Sequence, residues 1–168
     1  MPRSGARLLL ALLLPILLAT GCIYGFAGGG LPPSIRTVAV LPFENQTSLA
    51  PLQHDLYELM RREVEGRLGL REASEKNADA VVSGRIVGYE PDIPVAYSSD
   101  PSRASTAQRK VQITVDVQIV EQASGKMLWS QKGLMRDATY NEGSEADGRA
   151  DAIEKIVNDV IAGAQSQW

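Results

Sequence analysis

The chain has 168 residues, enough for one domain plus a targeting segment, and its 44% hydrophobic and 22% charged content is typical of a globular protein. Its formal net charge of −3 argues against nucleic-acid binding through a strongly basic surface. The chain contains one cysteine, which excludes an intramolecular disulfide bond and leaves the role of that cysteine to be explained by its position.

The first 21 residues have the three parts of a secretory signal peptide. Arg3 and Arg7 give a basic start, residues 8–18 are almost wholly apolar, and small residues precede Cys22. The apolar run is too short to cross a bilayer comfortably, because a hydrocarbon core about 30 Å thick needs roughly 20 apolar residues in a helix. We therefore predict a signal peptide over residues 1–21, with an uncut N-terminal membrane anchor as the alternative.

The residues that end this leader, Ala19-Thr20-Gly21-Cys22, resemble the lipobox of bacterial lipoproteins. Ala19 departs from the pattern, since the family usually has Leu there. The resemblance implies cleavage before Cys22, a diacylglyceryl thioether on its sulfur and a further acyl chain on the new amine. Two or more acyl chains attach a protein stably to a membrane, whereas one is marginal. A free cysteine behind an ordinary signal peptide is the alternative.

The residue after the cysteine bears on which membrane holds the protein. An Asp at this position resembles an inner-membrane retention signal in Gram-negative bacteria, and this chain has Ile23. The sequence therefore favours the periplasmic face of the outer membrane. Residues 22–34 are rich in Gly and Pro and are predicted to be a lipidated tether. Residues 35–168 are predicted to form a single domain, large enough to bury a core.

The first half of this domain begins with a predicted strand and a predicted helix. Residues 35–43 contain a continuous apolar run, as in a strand covered on both faces. The next segment, Glu44 to Ser48, is a polar turn, and its Asn45-Gln46-Thr47 sequence is expected to serve the turn rather than glycosylation. Residues 51–70 carry apolar side chains at steps of three and four, which predicts an amphipathic helix.

The second half is predicted to contain three strands and a second helix. The strands cover residues 78–89, 109–121 and 127–134. The middle strand alternates apolar and polar residues, and Ser124-Gly125 joins it to the last strand as an antiparallel hairpin. Residues 144–167 have a second helical stripe. The order β-α-β-β-β-α predicts an α+β fold in which two helices pack on one face of a mostly antiparallel four-stranded sheet.

Residues 90–108 show no periodic pattern and contain three prolines, which predicts a long loop. Ile93, Val95 and their apolar neighbours are candidates for an exposed contact surface. Three basic residues, Arg103, Arg109 and Lys110, lie in or beside this loop. They could meet an anionic headgroup, although a strand start that faces water is the favoured interpretation.

The sequence contains no convincing catalytic constellation. His54, the only histidine, falls near the start of the first helix and is expected to be solvated, as are Glu63 and Glu65 on the polar face of that helix. One histidine and one cysteine committed to lipid do not make a zinc or copper cluster. No serine lies in a strand-turn-helix nucleophile elbow. We therefore expect no enzyme, no catalytic residue, no metal ion and no cofactor, and Cys22 is the one predicted modification site.

Three stretches of the sequence carry a family resemblance. The segment Val38-Ala39-Val40-Leu41-Pro42-Phe43-Glu44-Asn45-Gln46-Thr47 resembles the opening of the LptE family of lipopolysaccharide-assembly lipoproteins. The segments Tyr24-Gly25-Phe26 and Gly125-Lys126-Met127-Leu128-Trp129 are similar to that family too. The resemblance covers essentially the whole chain after the leader, and the predicted order of elements matches the family's fold.

This resemblance implies a non-enzymatic role. Members of the LptE family plug the outer-membrane barrel LptD, assist its assembly and help to deliver lipopolysaccharide to the outer leaflet. Direct binding of lipopolysaccharide by this chain stays open. The alternative is a lipid-tethered periplasmic regulator of an envelope enzyme or a secretion-associated lipoprotein, because similar openings occur in curli-secretion lipoproteins and in activators of penicillin-binding proteins.

Overall fold

The computed structural model describes residues 31–95 and 108–166. The predicted leader, Cys22 and most of the predicted tether lie outside these residues, as do residues 96–107 of the predicted loop. The last residues of the tether belong to the fold, because Leu31 packs against the core and the N–H of Ile35 donates to the carbonyl of Pro32 at 2.8 Å.

The described residues form two long helices and six strands. The helices are α1, Pro51–Leu68, and α2, Glu145–Ser166. The strands are β1 (Thr37–Val40), β2 (Glu44–Asn45), β3 (Arg71–Glu72), β4 (Ala80–Pro94), β5 (Arg109–Glu121) and β6 (Met127–Tyr140). A short 3-10 helix, Glu75–Asn77, lies between β3 and β4. The alternating pattern of residues 109–121 gave both ends of β5 correctly.

The six strands make one mixed sheet in the order β3-β1-β4-β5-β6, with β2 also paired to β4. The prediction of a mostly antiparallel four-stranded sheet is therefore wrong in strand number and in part in direction. β4, β5 and β6 are antiparallel, as predicted, but β1 pairs in parallel with both β3 and β4. The reason is the connection, because α1 carries the chain from β1 back to the same end of the sheet before β4 begins. The two-residue strands β2 and β3 also change the predicted order of elements.

The structure also corrects the start of the predicted loop at residues 90–108. β4 continues to Pro94 and pairs with β5 as far as Arg109, with a register shift between Glu90 and Ile93. On its other side, β4 has no described partner beyond Ile86. Its last residues are therefore an edge on that side, where a proline, which lacks an N–H, is tolerated.

One hydrophobic core joins the sheet to the helices, as the predicted stripes require. The buried positions of β5 alternate, from Val111 to Ile119, and belong to the same cluster as the stripes of α1 and α2. The two helices contact each other, and α2 also packs on β5 and β6. Within the described ranges, every buried side chain in this core is apolar. The sheet therefore has one face under the helices and one open face.

Candidate interaction surface

The residues that resemble the LptE opening shape the junction between β1 and α1. Phe43 is fully buried, and its ring lies against Gly84 of β4. A Cβ at Gly84 would lie 2.7 Å from Cε1 of that ring and 2.3 Å from the carbonyl oxygen of Asp116. The glycine therefore makes room for Phe43 between the strands.

Asn45 holds the turn that follows. Its Oδ1 accepts hydrogen bonds from the N–H of Thr47 at 2.9 Å and from the hydroxyl of Thr47 at 2.7 Å. Its Nδ2 donates to the carbonyl of Leu49 at 2.8 Å. The expectation that Asn45-Gln46-Thr47 serves the turn is confirmed, because the asparagine side chain closes an Asx turn.

Asp79, which directly precedes β4, connects β4 to the start of β1. Its Oδ2 accepts hydrogen bonds from the N–H of Arg36, the N–H of Thr37 and the hydroxyl of Thr37, at 2.8–2.9 Å. These bonds, the N–H of Arg36 first, lower the pKa of Asp79 below its ordinary value. The carbonyl of Asp79 accepts from the N–H of Gln122 at 2.8 Å. We call this region the proximal end: Arg36, Arg71, Lys76, Asp79 and the turn at residues 122–126.

The opposite end of the sheet carries a second polar cluster. The hydroxyl of Tyr89 donates to Glu145 at the start of α2, and Arg149 donates to the same carboxylate at 3.2 Å. Nε of Arg149 lies 3.5 Å from a carboxylate oxygen of Asp55 on α1. Burial, together with Glu145, raises the pKa of Tyr89 to about 12. The cluster ties β4 to both helices.

Acidic side chains predominate around that cluster. Residues 90–92, 137–147 and the start of α1 lie here, because β4 and β6 end and α2 begins at this end. We call it the distal end, and its acidic residues are Asp55, Glu90, Asp92, Asp137, Glu142, Glu145 and Asp147. Arg109 and Lys110 lie among them and pair with Asp92 and Asp137. Their ion pairs favour the interpretation of these two residues as the start of a strand rather than as a headgroup site.

The open face of the sheet carries polar side chains, with Met127 and Met135 exposed among them. At its centre, Arg85 of β4 contacts Asp116 of β5, with Nε 3.0 Å from Oδ2. The other oxygen of Asp116 accepts the N–H of Gly133 in β6 at 2.8 Å, at a bulge where Gly133 has φ +62°. This N–H, more than Arg85, lowers the pKa of Asp116. Three strands are thus joined by one carboxylate in the floor of an open depression of about 490 Å³.

The long edge strand β6 is partly closed by side chains. Nζ of Lys155 on α2 donates to the carbonyl of Asp137 at 2.8 Å, and the guanidinium of Arg136 donates to the carbonyl of Met135 at 2.6 Å. Cationic side chains and a bulge are devices that keep an edge strand from pairing with another chain. These contacts occupy two carbonyls near the distal half of β6.

The structure does not bring together the other residues that the sequence analysis considered for a site. Cys22, the predicted lipidation site, lies outside the described residues, as does Arg103. His54 is exposed on α1, and Glu63 forms ion pairs with Arg62 and Arg67 at 3.6 and 3.9 Å. Asp79, Asp116 and Tyr89 were not predicted, because nothing in the local sequence indicates partners so far along the chain.

Two further properties limit what these surfaces can do. Nowhere in residues 31–95 and 108–166 do three histidine, cysteine or carboxylate side chains converge so that they could hold a metal ion. Neither helix in those ranges combines the length and the apolar character needed to cross a membrane.

The family model for LptE, described as lipopolysaccharide-assembly, matches residues 35–162. The chain belongs to the LptE family. The match runs from just before β1 to the last turn of α2 and so includes nearly all of the described fold. Membership connects the chain to lipopolysaccharide assembly in the bacterial envelope. No curated protein is significantly similar to it in sequence.

Solved structures share this fold at low sequence identity. The PelC dodecamer from Paraburkholderia phytofirmans is 16% identical, with a TM-score of 0.53, over 84% of this chain and 96% of that chain. A hypothetical protein from Chlamydia trachomatis is 12% identical, with a TM-score of 0.52, over 79% and 97%. A protein from Xanthomonas campestris is 9% identical, with a TM-score of 0.51, over 81% and 89%. At these identities the likeness concerns the fold alone.

Proposed function

We propose that this chain is an outer-membrane lipoprotein that plugs the LptD barrel and assists its assembly in lipopolysaccharide transport to the outer leaflet. Lipid on Cys22 holds it at the periplasmic face. The observation that carries the proposal is the LptE family match over residues 35–162, which spans both helices and the whole sheet. The role is non-enzymatic, since a plug acts by filling and bracing its partner.

The packing of the fold supports this role. A plug has to keep its shape while a barrel closes around it, and the described core is wholly apolar and joins both helices to β4, β5 and β6. Close packing of this kind gives a rigid interior. The polar clusters are on the surface, where they can meet the polar lumen of a barrel.

The lipid anchor supports the role in a second way. A tether confines the domain near the membrane and raises its effective concentration for a membrane-embedded partner. The tether is short, since eight residues separate Cys22 from Leu31. The anchor therefore delivers the domain to a barrel in the same membrane.

The experiment is affinity purification of the tagged full chain from membranes of its own organism, followed by identification of bound proteins. The proposal predicts a large β-barrel of the LptD type in stoichiometric amount. Recovery of a peptidoglycan synthase or a secretion complex without the barrel would contradict it and support the regulator or secretion alternative.

The anchor has its own test. In cells depleted of the barrel, Cys22→Ser is expected to move the protein from the membrane to the soluble periplasmic fraction. Ala19→Leu is the matched control, because it restores the usual lipobox residue and should leave attachment unchanged. Membrane attachment of Cys22→Ser without the barrel would show that the anchor is not the lipid on this cysteine.

A further inference from the structure

The outer edge of β6 is open in the proximal half of the strand. β6 is the last strand of the sheet and pairs on one side only, with β5. The side chains that bond to its edge reach the carbonyls of Met135 and Asp137, beyond the bulge at Gly133. Before that bulge, Trp129–Gln131 pair with β5 in unbroken register, and no described group bonds to their outer side.

The register shows which main-chain groups face outward in this stretch. Ser130 lies opposite Gln118, and Asp137 lies opposite Gln112. The register shifts between these pairs come from extra residues in β6, so the two partners are alternate positions of an unbroken β5. Alternate positions point their N–H and C=O groups to the same side. The N–H and C=O of Ser130 therefore face away from β5, as the carbonyl of Asp137 does.

The other described edges of the sheet are short or blocked. β2 and β3 have two residues each, and β4 carries Pro91 and Pro94 beyond its pairing with β2. β6 has 14 residues and no proline. Because an open edge can pair with another chain, the centre of the stretch Trp129–Gln131 is where the described sheet can still accept a strand.

A groove of about 500 Å³ lies between this edge and α2. Trp129 and Leu134 line it on β6, and Asp159, Gly163 and Ser166 line it on α2. The three helix residues are spaced by four and three positions and so lie on one side of α2. The groove can therefore take the side chains of a chain that lies along the edge of β6.

The groove also contains a hydrogen-bond donor that lacks a partner. Trp129 is only 8% exposed, and Nε1 of its indole lies beside Gly163, which lines the same groove. No residue in the described ranges accepts a hydrogen bond from this N–H. A buried indole N–H usually has an acceptor, because an unpaired buried donor is costly. An occupant of the groove can supply that acceptor.

We propose that the edge of β6 at Ser130, with the indole N–H of Trp129, binds an extended segment of the barrel protein as an added strand. An extended chain offers an acceptor for the N–H of Ser130 and a donor for its C=O. The strands of a closed barrel have their main-chain groups paired already, so the segment lies outside the barrel wall. The inference rests on the proposed function. Because a barrel encloses the domain in that role, the segment belongs to the barrel protein rather than to a second copy.

Proline at position 130 tests the main-chain contact. Ser130→Pro removes an outward N–H without removing a bond to β5, whereas Ser130→Ala, the matched control, removes only the side chain. Each tagged full chain is co-expressed with the untagged native chain, so that the two compete for the barrel. We expect at least about fivefold less barrel with Ser130→Pro, the effect of one net hydrogen bond, and no change with Ser130→Ala.

A second proline controls for the substitution itself. Thr139 lies opposite Lys110, another alternate position of β5, so its N–H also faces outward, but near the distal end. Thr139→Pro should recover as much barrel as the native chain.

Hydrogen exchange of the native chain tests the contact without a substitution. The amide of Ser130 should exchange at least about tenfold more slowly in the complex with the barrel than in the free chain, because the added strand protects it. This measurement decides the question if circular dichroism shows that Ser130→Pro does not fold.

Three results would overturn the inference. Equal barrel recovery with Ser130→Pro and Ser130→Ala, or unchanged exchange at Ser130, would contradict the added strand while the plug stands. Loss of a dimer of this chain in Ser130→Pro, with barrel recovery unchanged, would assign the edge to a second copy. A native chain that recovers no barrel contradicts the proposed function and this inference together.

Discussion

The indole of Trp129 occupies the space that a side chain at Gly163 would need. A Cβ built on Gly163 would lie 2.3 Å from Nε1 of the indole and 2.5 Å from Cε2. Trp129 is buried in β6, and Gly163 lies in the last part of α2. This close approach sets the distance between the helix and the edge of the sheet near the proximal end.

Gly163→Ala is therefore expected to destabilise the fold. Ala favours a helix over Gly by about 1 kcal/mol, but overpacking against a buried ring costs about 1–3 kcal/mol and the helix has to shift. Urea unfolding followed by circular dichroism measures the difference. Gly66→Ala on the exposed side of α1 is the control, because a Cβ there meets nothing within 4 Å, and it should stabilise by up to about 1 kcal/mol.

The same contact predicts coupling between the two positions. Trp129→Leu removes the ring atoms that a Cβ at Gly163 would meet. The double variant should be more stable than the sum of the two single effects, by about 0.5–3 kcal/mol. Additive effects would show that the helix is destabilised at Gly163 for a reason other than the ring.

Gly84 is expected to tolerate substitution far less well than Gly88 in the same strand. A Cβ at Gly84 meets the backbone of Asp116 and the buried ring of Phe43, whereas one at Gly88 lies 3.4 Å from Cβ of Thr114. We expect Gly84→Ala to cost more than about 2 kcal/mol and Gly88→Ala less than about 1 kcal/mol. Denaturant midpoints of the two variants measure the difference, and equal costs would contradict the close packing of Phe43.

Asp79 is expected to contribute to the dependence of stability on pH. Its pKa in the folded protein lies below its ordinary value because the N–H of Arg36, and then Thr37, bond to its charged form. The contribution is thus present above the ordinary pKa of about 4 and is lost as the pH falls through the folded value.

The check is urea unfolding of Asp79→Asn at pH 7 and at pH 3. The variant should have a lower midpoint than the native chain at pH 7, and the gap should narrow at pH 3. Asp151→Asn on the exposed side of α2 is the control and should follow the native chain at both values. A larger difference between the two midpoints at pH 3 than at pH 7 would contradict a lowered pKa of Asp79 in the folded protein.

Asp116 is expected to matter more than its ion-pair partner. Arg85→Ala removes an exposed pair, which is worth about 1 kcal/mol at most. Asp116→Ala removes that pair and also leaves the N–H of Gly133 without its acceptor, so its cost should be larger. Thermal unfolding of both variants ranks the two costs, and the reverse order would contradict the role of Asp116 at the bulge.

The sequence predicted the elements better than their arrangement. Apolar periodicity identified both helices and the full length of β5, because it reports which faces are buried. It does not report which strands are neighbours, so the parallel pairing of β1 with β4 was missed. The prolines of residues 90–94 indicated a loop, although the strand continues there along an edge.

The surface was less predictable than the fold. Asp79 bonds to Thr37 and Arg36, which lie 42 and 43 positions before it in the sequence, and Tyr89 bonds to Glu145, 56 positions after it. No local pattern marks such pairs. Family membership was predictable from the segment Val38 to Thr47. The fold explains two of its residues, because Phe43 is buried against Gly84 and Asn45 closes the turn.

Photo-crosslinking from two opposite faces in intact cells tests whether a barrel surrounds this domain, as the proposed plug requires. A photoreactive residue is placed at Gln118, exposed on the open face of the sheet, or at His54, exposed on α1. Because a plug is enclosed on all sides, both positions are predicted to crosslink to the same LptD-type barrel. Crosslinks from one face only, or to a different envelope protein, would contradict the plug.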